Sequence, residues 1–491
     1  MAKRDLFING QWVAAKNKST FPVYNPSTGE VWSKVADASR SDAAAAIEAA
    51  AQAQPAWAAL PHSERARLLS KVADVLTARQ KEFQETLIDE SGSWIGKTMF
   101  ETGYSIGVYR AGAAAAYQVT GEILPSDHGK LSLVVREPLG VVSVISPWNF
   151  PLILSSRGFS VALAVGNTIV LKPSEETPVA GGLLIAEVLE EAGIPKGVFN
   201  VVTCSRNNVA EVGDELISNP AVRGISFTGS TAVGQQVAAK AGGLLKKCCV
   251  ELGGKDALIV LDDADIEHAV NAATFGSFMH QGQICMSVER VIVHKDVAAE
   301  FTEKFVQNTK KLKVGNPREM GNCIGPIINQ KQLDKIRDQV DDAVAKGAKI
   351  LCGGKHQGLF FEPTILTGIT RDMKVMREET FGPIAPVITV GSVDEAIEVA
   401  NDTEYGLSAG IITRNEERGL AIARRLHTGM AHINDSSVND EPHVPFGGVR
   451  SSGLGRHGGK AGIDQFTEMR WVTLERGGRH YPPPFMMKPG H

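Results

Sequence analysis

Between about residues 140 and 400, short β-branched apolar runs alternate with helical patterns of about 10–15 residues. That alternation restricts the chain to α/β folds built on parallel sheets. The spacing predicts strands at Val141–Ser146, Thr168–Leu171, Val198–Thr203 and Gly224–Thr228. Helices are expected over about 179–192, ending at Gly193, then 208–218 and 231–243. A second series follows, with strands at Ala257–Leu261, Val291–His294, Lys349–Leu351 and Ile384–Val390. Its helices are expected over 266–278, 297–312, 332–346 and 393–401. At ~100–200 residues per domain, 491 residues exceed one core, so two α/β units are expected. The first is Rossmann-like and draws on residues 1–120 and 139–253; the second spans 254–450.

Two segments break the pattern. Gly121-Glu-Ile-Leu-Pro-Ser-Asp-His-Gly-Lys-Leu-Ser-Leu-Val-Val-Arg-Glu-Pro reads as two extended arms around an Asp-His-Gly turn. Thr467-Glu-Met-Arg-Trp-Val-Thr-Leu-Glu alternates like a strand. Isolated hairpins are marginal in water, so both segments need a sheet to join. We expect 121–138 and 465–491 to form a small β arm that mediates self-association, as a homodimer or homotetramer.

Composition excludes several classes. Lys plus Arg is 51 and Asp plus Glu is 55, a net charge of −4 with no basic block, so neither nucleic acid nor an anionic membrane is an expected partner. The apolar region Val141–Leu171 is interrupted by Pro147, Asn149, Pro151, Arg157 and Asn167, whereas a spanning helix wants roughly 20 unbroken apolar residues. The N-terminus lacks the apolar stretch of a signal peptide. These features predict a soluble, cytoplasmic protein. The six cysteines, 204, 248, 249, 285, 323 and 352, contain no Cys-x-x-Cys and no zinc spacing, so no metal site is expected.

Five segments carry candidate chemistry. Cys285 stands in Gln281-Gly-Gln-Ile-Cys-Met-Ser after a long helical pattern, where a loop could present a thiol; alone it reads as a core cysteine. Glu251 follows the apolar Cys248-Cys249-Val250 at a strand end, where apolar surroundings would raise its pKa towards that of a general base. Asn149 follows the first strand of the sheet, where α/β folds bind ligands and an amide can donate to an oxyanion. Phe227-Thr-Gly-Ser-Thr-Ala-Val-Gly lies between strand and helix and can present a helix N-terminus to a diphosphate. Lys172-Pro-Ser-Glu175 sets a cation and a carboxylate at the sheet edge. Each motif alone is weak.

Their order is not. Ser146-Pro-Trp-Asn-Phe-Pro, Lys172-Pro-Ser-Glu, Phe227-Thr-Gly-Ser-Thr, Glu251-Leu-Gly-Gly-Lys, Gly282-Gln-Ile-Cys, Glu379-Thr-Phe-Gly-Pro and Pro445-Phe-Gly-Gly occur in a sequence that closely resembles the NAD(P)-dependent aldehyde dehydrogenase superfamily. The resemblance runs from Phe7-Ile-Asn-Gly to the terminal strand. It implies a cofactor-binding domain at 1–120 and 139–253 and a catalytic domain at 254–450. It implies Cys285 as nucleophile, Glu251 as the base for thioester hydrolysis, and Asn149 as oxyanion donor. It implies cofactor contacts from Ser146, Pro147, Trp148, Lys172, Glu175, Phe227, Gly229, Ser230, Val233, Leu252, Glu379 and Phe381, with Gln332 a weaker match. Glu175 beside the adenine ribose would accept the 2′-hydroxyl and repel a 2′-phosphate, so NAD is expected over NADP, with Lys172 leaving NADP open.

The motifs also depart from the family. Many relatives carry Glu where His457 stands, and Trp-Lys where Arg157-Gly158 stands, so the usual proton exit is not expected here. Arg157, Phe150, Trp94, Ile284 and Met286 are expected to wall the substrate slot. An apolar slot with one arginine suits an aromatic ring bearing a polar group, unless that arginine is held in a structural ion pair. Gly282-Gln-Ile-Cys-Met-Ser and the tail Tyr481-Pro-Pro-Pro-Phe are similar to the bacterial benzaldehyde, salicylaldehyde and vanillin dehydrogenases, which implies an aromatic aldehyde substrate. The alternatives are an aliphatic aldehyde or semialdehyde, and CoA acylation, against which the base at Glu251 argues.

Overall fold

The computed structural model describes residues 4–479, 481 and 485. Two sheets organise the chain. The first has eight strands in the order Gln11–Val13, Leu6–Ile8, Phe199–Val201, Thr168–Lys172, Val141–Ile145, Val222–Thr228, Lys247–Glu251, Gly453–Leu454. The five central strands are mutually parallel. They are buried, as the unbroken apolar runs required.

From Val141–Ile145 the chain steps to Thr168–Lys172 and Phe199–Val201 on one side, then returns to Val222–Thr228 on the other. That reversal opens a crevice beyond the carboxyl ends of Val141–Ile145 and Val222–Thr228, the usual ligand position in an open α/β sheet. The second sheet has seven strands in the order Lys349–Cys352, Thr364–Thr367, Ile384–Val390, Val288–His294, Asp256–Val260, Ala409–Ile412, His432–Ile433.

The helices Thr231–Gly243, Ile266–Phe278 and Val393–Asn401 form where the spacing predicts. The helix expected over 179–192 opens instead as a π-turn at Val179–Leu183 before Leu184–Ala192, and Gly193 closes it in the left-handed region. The buried carboxylate of Glu90 accepts the Val179 and Ala180 N–H groups at 2.7 Å each, satisfying that irregular start.

The remaining segments form a three-stranded antiparallel sheet. Thr467–Leu474 pairs with Leu131–Pro138 in the register Thr467↔Pro138 through Leu474↔Leu131, and Glu122–Leu124 joins the other edge. The tail beyond Arg479, apart from Tyr481 and Phe485, lies outside the described residues. The sheet leaves Ile123, Met469 and Trp471 largely exposed.

Candidate active site

Cys285 is carried on a loop that follows the helix Ile266–Phe278. His280, Gln281 and Gly282 take left-handed backbone angles in succession, a conformation that non-glycine residues avoid and that the surroundings must impose. Gln281 Nε2 donates to Pro326 O at 2.9 Å, and Gln283 Oε1 accepts from Ile328 N at 3.0 Å. Asn149 Nδ2 donates to Gln283 O at 3.0 Å, which ties the candidate oxyanion donor to the nucleophile loop.

Asn149 is fixed from the other side by a buried carboxylate. Glu101 accepts the N–H groups of Leu152 at 2.9 Å and Ile153 at 3.4 Å, at the start of the helix Pro151–Ala164. Lys97, fully buried, pairs with Glu101 and lies 4.4 Å from the centre of the Phe150 ring. A negative charge at a helix N-terminus is favourable, and here it anchors the turn carrying Trp148-Asn-Phe.

Glu251 ends the strand Lys247–Glu251 and is buried. Among the described residues neither carboxylate oxygen receives an N–H or O–H hydrogen bond; the Cys285 thiol is the group it interacts with. Burial pushes the Glu251 carboxyl up to about 8, against the opposing pull of Cys285 and the Arg157 guanidinium. Burial and the neighbouring Glu251 carboxylate both push the Cys285 thiol well up. At neutral pH the resting pair is therefore a thiol facing a largely protonated carboxyl.

The glycines after Glu251 are required by close approach. A Cβ on Gly253 would stand 2.7 Å from the Glu379 carboxylate, and one on Gly254 2.4 Å from Cys285 O. Glu379 Oε1 accepts the Gly254 N–H at 3.2 Å. Glu289, paired with Lys255 at 2.7 Å, accepts from Thr380 N and Phe381 N, and so fixes the loop Glu379-Thr-Phe.

Two cavities meet at Cys285, with Asn149 and Leu154 shared between them. The first, about 140 Å³, is walled by Tyr104, Phe150, Ile284, Met286 and Phe446, with Phe100 and Phe275 also lining it. The second, about 170 Å³, is lined by Pro147, Trp148, Gly229, Ser230, Leu252, Glu379 and Phe381, joined by Gln332, the weaker match, and by Thr228, Gly253 and Lys335, which were not anticipated. Trp148 and Phe381 meet edge to face at 5.3 Å there. Ser230 begins the 13-residue helix Thr231–Gly243, so backbone N–H groups at that terminus face an anion-accepting position.

Several expected residues lie elsewhere. Trp94 does not line the aldehyde-side cavity; it precedes the helix Ile95–Ala115 and folds its ring onto Gly96 of its own first turn. Phe227 is core, its ring occupying the space a Gly229 side chain would need. Ser146 is buried with its hydroxyl 2.7 Å from that of Ser155, and Val233 is half exposed on the following helix. Lys172 and Glu175 flank the sheet edge outside the second cavity.

Arg157 lines the first cavity, but its guanidinium is not free. Nη2 pairs with Asp440 and donates to the Tyr104 hydroxyl at 2.6 Å, and its carbon lies 4.1 Å from the centre of the Phe446 ring. The arginine read as a direct partner for a ring substituent is therefore a paired one. Gly158 is pressed against the sheet, with a Cβ 2.8 Å from Val144 Cγ1 and 3.2 Å from Ser226 Oγ, so no longer side chain fits there without displacing them. His457 Nε2 lies 2.9 Å from Ser226 Oγ; burial, then the Arg157 charge, lower its pKa to about 3, so the ring is neutral.

Among known proteins, the chain matches the aldehyde dehydrogenase family over residues 12–472. It is 45% identical to a vanillin dehydrogenase of Pseudomonas fluorescens, covering 97% of this chain and 99% of that one. It is 43% identical to a benzaldehyde dehydrogenase [NAD(+)] of Pseudomonas putida, covering 97% of each. The crystal structure of a salicylaldehyde dehydrogenase from Pseudomonas putida G7 complexed with salicylaldehyde superimposes with a TM-score of 0.96 at 42% identity, covering 98% of this chain and 100% of that one. With the thiol, carboxylate and amide converging at the meeting point of two cavities, the chain belongs to the aldehyde dehydrogenase family.

Proposed function

We propose that the protein oxidises an aromatic aldehyde to its carboxylic acid with NAD. The observation that carries this reading is the position of Cys285 at the junction of an aromatic-walled cavity and a glycine- and carboxylate-lined one. The aromatic walls suit a flat ring, and the named relatives act on vanillin, benzaldehyde and salicylaldehyde. The second cavity fits a dinucleotide: a helix N-terminus at Ser230 for the diphosphate, and Glu379 for ribose hydroxyls.

The chemistry follows from the side chains. Glu251 takes the thiol proton as Cys285 Sγ bonds to the aldehyde carbon, and the carbonyl oxygen becomes an oxyanion. Asn149 Nδ2 and the Cys285 backbone N–H are the donors for that oxygen. A nicotinamide held in the second cavity beside Trp148, Glu379 and Phe381 would supply the hydride acceptor for the thiohemiacetal carbon. Once Glu251 has released that first proton to solvent, it takes a proton from the water that attacks the Cys285 thioester carbon, and the sulfur leaves as thiolate while the acid forms.

The exposed apolar face of the sheet 122–138 and 467–474 suits a second copy of the chain, giving a homodimer or homotetramer. No helix among the described residues is long and apolar enough to cross a membrane, which accords with a cytoplasmic enzyme. The test is a panel of substituted benzaldehydes and alkanals assayed by cofactor reduction. A higher kcat/KM for benzaldehydes than for alkanals and betaine aldehyde is the expected result, and the reverse order would defeat the aromatic reading.

A further inference from the structure

Beside Cys285 and Asn149, four polar side chains stand in the wall of the aldehyde-side cavity: Tyr104, Arg157, Asn439 and Asp440. Asn439 Nδ2 donates to Asp435 Oδ2 at 2.9 Å. Arg157 Nη2 divides between the Tyr104 hydroxyl and Asp440 Oδ2, with the Phe446 ring over the guanidinium. Asp440 Oδ1 differs. It is enclosed at the wall, and no donor among the described residues bonds to it. The Asp440 side chain as a whole is 11% exposed, on the loop that follows the strand His432–Ile433.

We infer that Asp440 Oδ1 accepts a hydrogen bond from a hydroxyl on the substrate ring, so that this carboxylate selects hydroxybenzaldehydes. The inference rests on the aromatic reading of the site and deepens it. A buried carboxylate oxygen with no donor is costly, and a substrate that brings the donor removes that cost on binding. A hydroxyl donating to a carboxylate is a charge-assisted bond, strengthened where the surroundings are apolar. The terminal torsion of an aspartate is broad and two-fold. A turn about it brings Oδ1 to the ring hydroxyl while Oδ2 stays with Arg157. In this arrangement Arg157 is a positioning residue: it compensates the Asp440 charge and fixes one oxygen, and the other does the reading.

The same ion pair read through Arg157 gives the opposite order of substrates. A guanidinium has donors and no acceptor, so a free arginine would favour ring substituents that accept: methoxy, nitro or carboxylate. Asp440 Oδ1 sets a lone pair against a methoxy oxygen and a like charge against a ring carboxylate. Both rank below a hydroxyl at the position that reaches Asp440.

The test is kcat/KM of the full chain for 2-, 3- and 4-hydroxybenzaldehyde, the matching methoxybenzaldehydes, 4-carboxybenzaldehyde and benzaldehyde. At one ring position at least, hydroxyl should exceed methoxy by about tenfold or more, mostly through KM, and 4-carboxybenzaldehyde should fall below benzaldehyde. Asp440→Asn keeps an oxygen for Arg157 and turns an amide N–H towards the ring, with no change in side-chain size. It should lower the hydroxyl-to-methoxy ratio at that position by about tenfold or more. If Asp440→Asn does not fold, as read by circular dichroism, the double variant Arg157→Met with Asp440→Leu should lower the same ratio. Ratios near one at all three positions in the wild type, 4-carboxybenzaldehyde above benzaldehyde, or a ratio that the folded variant leaves unmoved would each overturn the inference. Those results leave the aromatic reading standing as long as benzaldehyde still exceeds the alkanals; if it does not, that reading falls first.

Discussion

The two cavities that meet at Cys285 are built in opposite ways. The cofactor-side cavity is assembled largely from strand ends and the short loops that follow them, Pro147-Trp-Asn, Thr228-Gly-Ser and Glu251-Leu-Gly, with Glu379-Thr-Phe from the loop between the helix Lys374–Arg377 and the strand Ile384–Val390. Its shape comes from backbone, with glycines where a Cβ would stand only 2.4 to 2.7 Å from a neighbouring atom. The aldehyde-side cavity is assembled from side chains of four separate segments, on the helix Ile95–Ala115, the helix Pro151–Ala164, the stretch 275–286 and the loop 438–446. A cavity made of backbone tolerates few changes, whereas one made of side chains can be re-cut residue by residue. The first suits a constant cofactor and the second a variable substrate.

The sharpest break of this comparison removes the point the cavities share. Cys285→Ala should lower kcat by ~10⁴-fold or more, because no other nucleophile faces the junction. The affinity for NAD, measured by fluorescence quenching, should stay within a few-fold, since the cofactor cavity keeps its backbone walls. Retained turnover would sink the covalent mechanism.

Glu251 lines the cofactor-side cavity beside Cys285 and should separate the two half-reactions. Its carboxyl is pushed up to about 8, and only the ionised form can take a proton. kcat should therefore rise with pH through the region of 8 and level off above it. Glu251→Gln should lose ~10²–10⁴-fold in steady-state kcat, accumulate the acyl-enzyme by mass spectrometry, and show no such rise. A wild-type profile that falls across this range would assign the proton step elsewhere. His457, neutral and bonded to Ser226, does not substitute for the base.

On the aldehyde side the largest effect should come from the buried pair. Asp440→Leu alone leaves the Arg157 charge uncompensated and should destabilise the fold by ~3–5 kcal/mol, whereas adding Arg157→Met should recover most of that loss. Denaturant melts of the two variants make the comparison. In the double variant, KM for the aldehyde should shift and KM for NAD should not, because neither residue lines the cofactor cavity. Equal shifts in both would mean that the two regions are not separable.

This contrast also decides what could be read from residues alone. Cys285, Glu251, Asn149, Trp148, Leu252, Glu379 and Phe381 lie in contiguous motifs in short loops beside the strands, where a few neighbours define the local geometry, and the structure brings them together. Tyr104, Phe275 and Asp440 reach the aldehyde cavity from positions up to 336 residues apart, and no local pattern marks them; Phe446 lies in the motif Pro445-Phe-Gly-Gly, which does not say that its ring lines this cavity. Asp440 was the consequential omission: without it Arg157 reads as a free cation. The helices Arg40–Ala58, His62–Ala78, Gln80–Ser91 and Ile95–Ala115 were not anticipated, since alanine-rich and mixed stretches there lack the alternation that marks the sheets. Phe227 lies with its ring in the core, and a motif position says nothing about whether a ring faces the crevice or the core.

The smallest expected effect is a test of that last point. Trp94 was read as a plausible wall of the slot, and the structure leaves it half-buried. Its ring instead covers Gly96, and its indole N–H is buried with no acceptor among the described residues. An unsatisfied donor contributes nothing favourable, so Trp94→Phe removes a desolvated N–H while keeping most of the ring contact. The variant should fold with a stability within ~1 kcal/mol of the parent, and kcat/KM for benzaldehyde should change by less than about twofold. Phe446→Leu, by contrast, removes an aromatic wall that also stacks on Arg157, and should raise the aldehyde KM several-fold. If Trp94→Phe moves the aldehyde KM as much as Phe446→Leu does, the cavity extends to the first turn of the helix Ile95–Ala115, and the boundary drawn here between its walls and its support is misplaced.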